Sequence, residues 1–129
     1  MDLKHLTHTA LLAVIEAEHV DEREVERYFA SSYQQVADGT VLNLREFKEH
    51  LLTLKQLTQS MTVTVVAMVQ QDEHVFSRHQ VCVEKRTGER SVVEVIAHFQ
   101  WQAGKIVRCD ELSRVIDGDQ SDRALASVR

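Results

Sequence analysis

The chain has 129 residues, of which 43% are hydrophobic and 27% are charged, and its formal net charge is −5. This balance predicts one globular domain over residues 1–129 with a core of its own, and it excludes an intrinsically disordered chain. The negative charge argues against nucleic acid and anionic membranes as partners, because both are bound by clustered lysine and arginine. No apolar run approaches the roughly 20 residues of a membrane span, and the N-terminal stretch is typical of an amphipathic helix and not of a signal peptide. We therefore expect a cytoplasmic protein.

Apolar residues at helical spacing predict three amphipathic helices in the first half of the chain. They cover Leu3–Glu18, Asp21 to about Ser31, and Asn43 to about Thr58–Ser60. Asp21 with Glu24, and Asn43 with Glu46, have the spacing of capping boxes at the start of the second and third helices. The stretch between these two helices, Ser32–Thr40, is predicted to be a loop or a short strand that ends in an Asp38-Gly39 turn.

From Met61 the hydrophobic period changes from that of a helix to that of a strand. Four strands are predicted, over Met61–Val69, Val75–Glu84, Ser91–Gln102 and Lys105–Val115. Short turns separate them, so they form an antiparallel meander. Helices followed by strands predict an α+β domain with the helices packed on one face of the sheet.

The third of these strands divides its side chains between two faces, because alternate residues of a strand point to opposite sides. One face is apolar and carries Val93, Val95, Ala97, Phe99 and Trp101. The opposite face is mixed and carries Val92, Glu94, Ile96, His98 and Gln100. Such a strand covers a core with one face and lines a site or an interface with the other.

Three features together resemble the nuclear transport factor 2-like superfamily and, within it, the SnoaL-like group of polyketide cyclases and small bacterial proteins. They are Tyr28-Phe29, Asp72–Val75 and Phe99-x-Trp101-x-x-Gly104-Lys105-Ile106. The similarity runs from Leu3 to about Ile116. The resemblance implies a cone-shaped α+β fold, in which three N-terminal helices and a curved antiparallel sheet enclose a pocket, and a homodimer formed through the convex sheet face. It implies no activity, because the fold hosts isomerases, dehydratases, cyclases, hydrolases and binding modules.

Candidate acid–base residues are His79, His98 and Glu111. Counting residues across the two hairpins places His79 and Glu111 near Ile96, and all three candidates on one sheet face if no bulge intervenes. A carboxylate beside an imidazole is suited to proton transfer near neutral pH. Relatives such as ketosteroid isomerase and scytalone dehydratase use an acidic residue or a histidine from comparable strands, but none of their complete catalytic sets is matched here.

Two alternatives stay open for the polar groups of these strands. In the first, they line a dimer face or a solvated face and do no chemistry. If the assignment of the faces is inverted, Arg78, Arg108 and Asp110 line the pocket instead.

No metal or cofactor is predicted. Among the seven histidines, His5 and His8 have helical spacing but no third ligand, and the three at helix ends or in turns, His19, His50 and His74, are expected to face solvent. Motifs of nucleotide binding and serine hydrolysis are missing from the sequence. Cys82 and Cys109 are expected to be reduced core thiols.

Two hypotheses for function follow. The first is a binding module that holds a small, mostly apolar organic molecule in the cone pocket. The second is a metal-independent isomerase, cyclase or dehydratase in which Glu111 or His79 is the base. A third interpretation, an interaction protein, rests on the C-terminal tail and on the convex sheet face, which we expect to be buried in a homodimer.

Residues 116–129 form a polar tail. Opposite charges surround Gly118: Asp117, Asp119 and Asp122 against Arg114 and Arg123. We expect the aspartates to accept hydrogen bonds from nearby backbone amides or from the arginines, and the tail to fold back and dock Leu125 and Val128 on the sheet or on a partner subunit. The alternative is a disordered C-terminus.

Overall fold

The computed structural model of the chain describes residues 1–126 and 128, without the side chain of Arg123. The helices are α1 (Leu3–Leu11), which continues as a π-helical turn over Leu12–Glu16, α2 (Glu22–Tyr28) and α3 (Leu44–Leu57). The strands are β1 (Phe29–Ala37), β2 (Thr40–Asn43), β3 (Thr58–Gln71), β4 (His74–Lys85), β5 (Arg90–Gln102) and β6 (Lys105–Asp117). A 3-10 helix over Gln120–Ala126 follows. The predicted α+β fold, with helices packed against a curved sheet, is confirmed.

The described strands form one sheet in the order β2-β1-β6-β5-β4-β3. The antiparallel meander from β3 to β6 is as predicted. However, β1 pairs with β6 in parallel, so the sheet is mixed rather than wholly antiparallel. The sequence left most of β1 as a loop or a short strand, because its apolar and polar residues alternate too weakly to mark a strand that a neighbouring strand stabilises.

Side-chain caps mark where the helices begin, and two of these caps lie where the sequence predicts them. The Asn43 side chain accepts from the Glu46 amide at 2.9 Å, and the Glu46 side chain accepts from the Asn43 amide at 3.0 Å, which is the capping box predicted for α3. Asp21 also caps its helix, but it accepts from Arg23 at 2.9 Å and not from Glu24.

The helices cover one face of the sheet, here called the inner face. Phe29 and Tyr33 of β1 pack against Phe47 of α3, with ring centroids 4.7 to 5.1 Å apart. At the far end of β5, the indole N–H of Trp101 donates to the buried Thr7 hydroxyl at 3.0 Å, which ties α1 to the sheet. This buried hydrogen bond fixes the position of the helix layer, and the packing of that layer on the sheet buries apolar surface.

The opposite side of β3–β6, the outer face, has no helix over it in the described part of the chain. Val69, Phe76, Ile96 and Leu112 point outward with 63%, 47%, 55% and 68% of their surface exposed. None of the described helices has the length and hydropathy that crossing a bilayer requires.

Candidate functional site

A cavity of about 110 Å³ lies between the helices and the inner face of the sheet. The apolar part of its helical wall consists of Leu11, Val14, Ile15, Phe47, Leu51 and Leu54. Its sheet wall carries Phe29, Met61, Val81, Val83, Val93, Val95 and Phe99. A few polar side chains interrupt this lining, and a mostly apolar cavity with a small number of convergent polar groups is typical of a site for a small molecule.

The structure brings two of the three predicted site residues together. His79 of β4 and Glu111 of β6 both line the cavity. His98 of β5 lies on the outer face, so the expectation that all three share a face is wrong for His98. The apolar face of β5, not its mixed face, is the one that lines the site.

The pairing register explains this difference. His79 pairs with Val95 rather than Ile96. A bulge that shifts the register between Gln100 and Trp101 places Glu111 opposite Ala97, again one residue from the expected partner. A shift of one residue moves a side chain to the other face of the sheet. Both registers differ from the expected ones by one residue, so His79 and Glu111 remain on the same face of the sheet, whereas His98 lies on the opposite face.

Glu111 lies in the sheet wall of the cavity, and the pKa of its carboxyl is raised. Burial raises the pKa of the Glu111 carboxyl from 4.5 to about 7, and the negative charge of Asp38 adds to this effect. Asp38 is itself fixed by Ser113, whose amide donates to Oδ1 at 2.9 Å and whose hydroxyl donates to Oδ2. Near neutral pH the Glu111 side chain therefore exists in both its neutral and its charged form.

His79 is held neutral in the same cavity. Burial lowers the pKa of its imidazole from 6.5 to about 4. Its Nδ1 lies 2.9 Å from the hydroxyl of Ser77, two residues earlier on the same face of β4. At neutral pH the ring offers hydrogen bonds but no charge.

Tyr33, Gln35 and Cys109 add uncharged polar groups beside Glu111. The Tyr33 hydroxyl donates to the Gln35 side-chain oxygen at 2.8 Å. Burial raises the pKa values of the Tyr33 hydroxyl and the Cys109 thiol well above their ordinary values, and nearby Glu111 contributes. Both groups are therefore protonated at neutral pH.

His50 closes the helical side of the cavity. It is buried in the interior of α3, so the prediction that it faces solvent at a helix end is wrong. Its Nδ1 lies 2.5 Å from the Val128 carbonyl oxygen, and since a carbonyl only accepts, Nδ1 carries the proton. Burial lowers the pKa of this ring as well.

The C-terminal segment packs over this end of the cavity. Leu125 and Ala126 line the cavity, and Leu125 and Val128 pack against a cluster of Leu54, Met61 and Val83. The expected docking of Leu125 and Val128 is therefore confirmed.

Of the two kinds of contact expected for the tail aspartates, the structure shows a bond from a backbone amide at Asp119, whereas Asp122 and Arg114 each bind another partner. Asp122 binds Lys85 at 2.6 Å, and Arg114 binds Glu94 at 3.0 Å. Asp119 accepts from the Ser121 amide at 2.8 Å. The pairing expected for Arg123 lies outside the described side chains.

The alternative pocket set lies on the outer face with His98. Arg108 binds Asp110 through two hydrogen bonds of 2.8 and 3.0 Å, and Arg78 pairs with outward-facing Ile96. His98 stacks on Phe76 with ring centroids 4.2 Å apart, and its Nε2 lies 2.8 Å from Nδ1 of His74. None of these groups lines the cavity.

The two cysteines are not joined by a disulfide, and the described side chains offer no metal site. Both cysteines are free, with Cys109 buried and Cys82 half-buried on the outer face, so only Cys109 is a core thiol. Within the described residues, no group of three or more His, Cys, Asp or Glu side chains is arranged to hold a metal ion.

Sequence reasoning missed Tyr33, Gln35, Asp38 and His50. Tyr33 and Gln35 lie two residues apart, which is the spacing of one strand face and was the available sign of a strand there. Asp38 was interpreted only as a turn residue. His50 follows Phe47 and precedes Leu54 at helical spacing, a pattern that favours the buried face of α3.

The comparison with protein families gives a match over most of the chain. The model of the SnoaL-like domain matches residues 9–109. An uncharacterised protein of the fission yeast Schizosaccharomyces pombe is 29% identical over 109 residues, which cover 84% of each chain. The expected restriction to a bacterial group is therefore not supported by this relative.

Solved structures share the fold at low sequence identity. AclR of Streptomyces galilaeus, described as a candidate hydroxylase, has a TM-score of 0.74 at 11% identity and covers 98% of this chain and 85% of its own. An epoxide hydrolase of M. tuberculosis has a TM-score of 0.70 at 14% identity, with coverage of 84% and 80%. IdmH of Streptomyces antibioticus, described as a candidate polyketide cyclase, has a TM-score of 0.68 at 16% identity, with coverage of 82% and 90%.

Proposed function

Since the chain belongs to the SnoaL-like domain family of the nuclear transport factor 2-like superfamily, we propose that its cavity binds a small, uncharged, mostly apolar organic molecule. The observation that carries this proposal is the composition of the lining. Apolar side chains dominate it, and none of the described lining residues is a lysine or an arginine. Burying an anionic ligand without a cation would be costly, so the lining disfavours anionic ligands.

Polar groups at the sheet wall favour a ligand with one hydrogen-bonding oxygen. Glu111 with its raised pKa donates in its neutral form and accepts in its charged form. Neutral His79 lies on the neighbouring part of the same wall. A flat hydrocarbon body with a single hydroxyl or carbonyl group matches this arrangement.

Blocking the cavity tests this proposal. In Val81→Phe, the new ring occupies the cavity that Val81 lines, so binding of 2-naphthol, indole or 2-tetralone should weaken by about tenfold or more. Calorimetric titration measures the affinity. Gln80→Phe is the matched control, because it adds the same ring to the adjacent residue, which points to the outer face, and should leave binding unchanged.

The proposal is contradicted if none of the three compounds binds the native chain. It is also contradicted if Val81→Phe and Gln80→Phe bind equally well, since the ligand would then lie outside the cavity.

The acidity of Glu111 favours a second candidate function, a metal-independent isomerase, cyclase or dehydratase. A general base is most effective when its pKa lies near the working pH, and the pKa of Glu111 is about 7. His79, with a pKa of about 4, is the weaker base of the two. In this reaction Glu111 would take a proton from the carbon next to a carbonyl group and later return it.

Hydrogen exchange tests the second candidate. In D2O, the native chain should exchange the α-protons of 2-tetralone for deuterium faster than the buffer does, and proton NMR follows the loss of the α-proton signal. Glu111→Gln should reduce this rate to that of buffer, whereas His98→Gln, on the outer face, should leave it unchanged. Exchange that survives in Glu111→Gln would exclude Glu111 as the base.

We also propose a homodimer formed through the outer face, the assembly expected from the sequence. The support is the exposure of Phe76, Ile96 and Leu112 in one region of the sheet, since an apolar surface of this kind is usually buried by association. Light scattering at micromolar concentration should give the mass of two chains. Leu112→Glu should give one chain, whereas Leu52→Glu, the same change on an exposed leucine of α3, should leave the dimer intact. A monomeric native chain would contradict the dimer.

A further inference from the structure

We propose that the C-terminal segment formed by Gln120–Ala126 and Val128 is a lid that opens to admit molecules to the cavity, and that Asp122 is its latch. The role of the lid as a gate for a ligand depends on the proposed binding function. Its movement is inferred from its own contacts and does not depend on that function.

The position of the segment makes it part of the cavity wall. Leu125 and Ala126 line the cavity beside residues of α3 and the sheet. The described strands that form the remaining wall are hydrogen-bonded to their neighbours in one sheet. The segment is not a strand of this sheet; it follows β6 as a 3-10 helix of 7 residues. Its displacement would therefore open the cavity without breaking the sheet.

Among the described residues, few contacts hold the segment closed. Asp122 is 5% exposed; its Oδ1 lies 2.6 Å from the Lys85 ammonium, and its Oδ2 accepts from the buried Ser91 hydroxyl. The carbonyl of Val128 accepts from His50. Leu125 and Val128 supply the apolar contacts. Elements held by a small number of contacts open at much lower free energy than the whole domain unfolds.

The negative charge of Asp122 makes this residue the latch of the lid. A buried carboxylate that loses its cation is strongly disfavoured, so the ion pair with Lys85 and the bond from Ser91 hold Asp122 in its closed place. Two different strands supply these partners, since Lys85 ends β4 and Ser91 is near the start of β5. The latch therefore ties the lid to the turn end of the β4–β5 hairpin, where β4 ends and β5 begins.

Cys109 reports on the lid without any ligand, because this thiol lines the cavity and is 2% exposed. In a Cys82→Ser background, Cys109 is the remaining thiol of the chain. Methyl methanethiosulfonate, a small neutral reagent, modifies it only after entering the cavity. The rate, measured by intact mass at constant pH, follows the fraction of open molecules.

Asp122→Asn in this background should increase the labelling rate by about tenfold or more, because the amide keeps the shape of the side chain but loses its charge. Thr7→Val is the matched control. It removes the buried partner of Trp101 at the opposite end of β5 and so destabilises the whole domain without touching the lid. Thermal melting of both variants shows how much global stability each has lost.

Faster labelling in Asp122→Asn than in a Thr7→Val variant of equal or lower stability supports the lid. Equal rates in both variants, or a rate in Asp122→Asn that matches the native chain, would overturn it. Fast labelling of Asp122→Asn together with no binding of 2-naphthol leaves the lid standing and contradicts the binding function. Binding of 2-naphthol with unchanged labelling contradicts the lid alone.

Discussion

Replacement of Glu111 by Gln should stabilise the protein by about 3 kcal/mol at pH values well above 7, and by almost nothing below pH 4.5. The pKa of this carboxyl rises from 4.5 to about 7 on folding, so the folded state binds the proton more tightly than the unfolded state does. The stability that this proton gives is complete below pH 4.5 and is lost as the pH rises through 7. One pKa unit corresponds to about 1.4 kcal/mol, which sets the size of the effect.

His79 acts in the opposite direction and serves as the control. Its pKa falls from 6.5 to about 4 on folding, so the stability associated with its neutral form is complete above pH 6.5 and is lost as the pH falls through 4. We compare urea unfolding curves, measured from pH 4 to above pH 7, for the native chain, Glu111→Gln, His79→Asn and the double variant. These curves separate the contributions of Glu111 and His79 to the free energy of unfolding. The double variant should show the flattest profile. A difference between native chain and Glu111→Gln that does not change with pH would show that the carboxyl is not buried as described.

Gly118→Ala should lower the free energy of unfolding by about 2–3 kcal/mol. Gly118 has a φ of +113°, and an added Cβ would lie 2.9 Å from Cα of Ser91. This contact is with backbone, so β5 would have to shift at the residue whose hydroxyl donates to Asp122. Two costs therefore combine, the strain of a positive φ and the displacement of a packed strand.

Gly88→Ala separates these costs. Gly88 has a similar φ of +91°, but an added Cβ there meets nothing within 4 Å. Only the backbone strain remains, so the expected loss is about 1 kcal/mol. Urea unfolding curves of both variants give the comparison. Equal losses would show that the chain does not pass close to Ser91 at Gly118.

Local patterns were sufficient for the three helices and the meander, except that the second helix, predicted to about Ser31, ends at Tyr28, where β1 begins. The helical period around Leu44, Phe47, Leu51 and Leu54 and the capping box at Asn43 specify α3 without reference to the rest of the chain, because all of these interactions lie within a few residues. The four strands of the meander likewise follow from alternation and short turns. The docking of Leu125 and Val128 followed from the scarcity of other apolar groups in the tail.

The parts of the site that depend on distant pairing needed the tertiary structure. β1 is a strand because β2 and β6 lie on either side of it, and this position in the sheet brings Tyr33 and Gln35 to the cavity. The bulge between Gln100 and Trp101 leaves no mark in composition, yet it decides that Glu111 faces the cavity opposite Ala97.

The sequence by itself therefore determined the α+β class and the order of the three helices and the four meander strands, because these depend on local period and short turns. The expectation that His79 and Glu111 share a face holds only because both pairing registers differ from the expected ones by one residue. Only the tertiary structure decided that this face is the cavity and that His98 is excluded from it, because a one-residue change in register reverses a strand's faces. It also decided the acidity of Glu111, since burial and the approach of Asp38 arise only when β1, β6 and the helices come together.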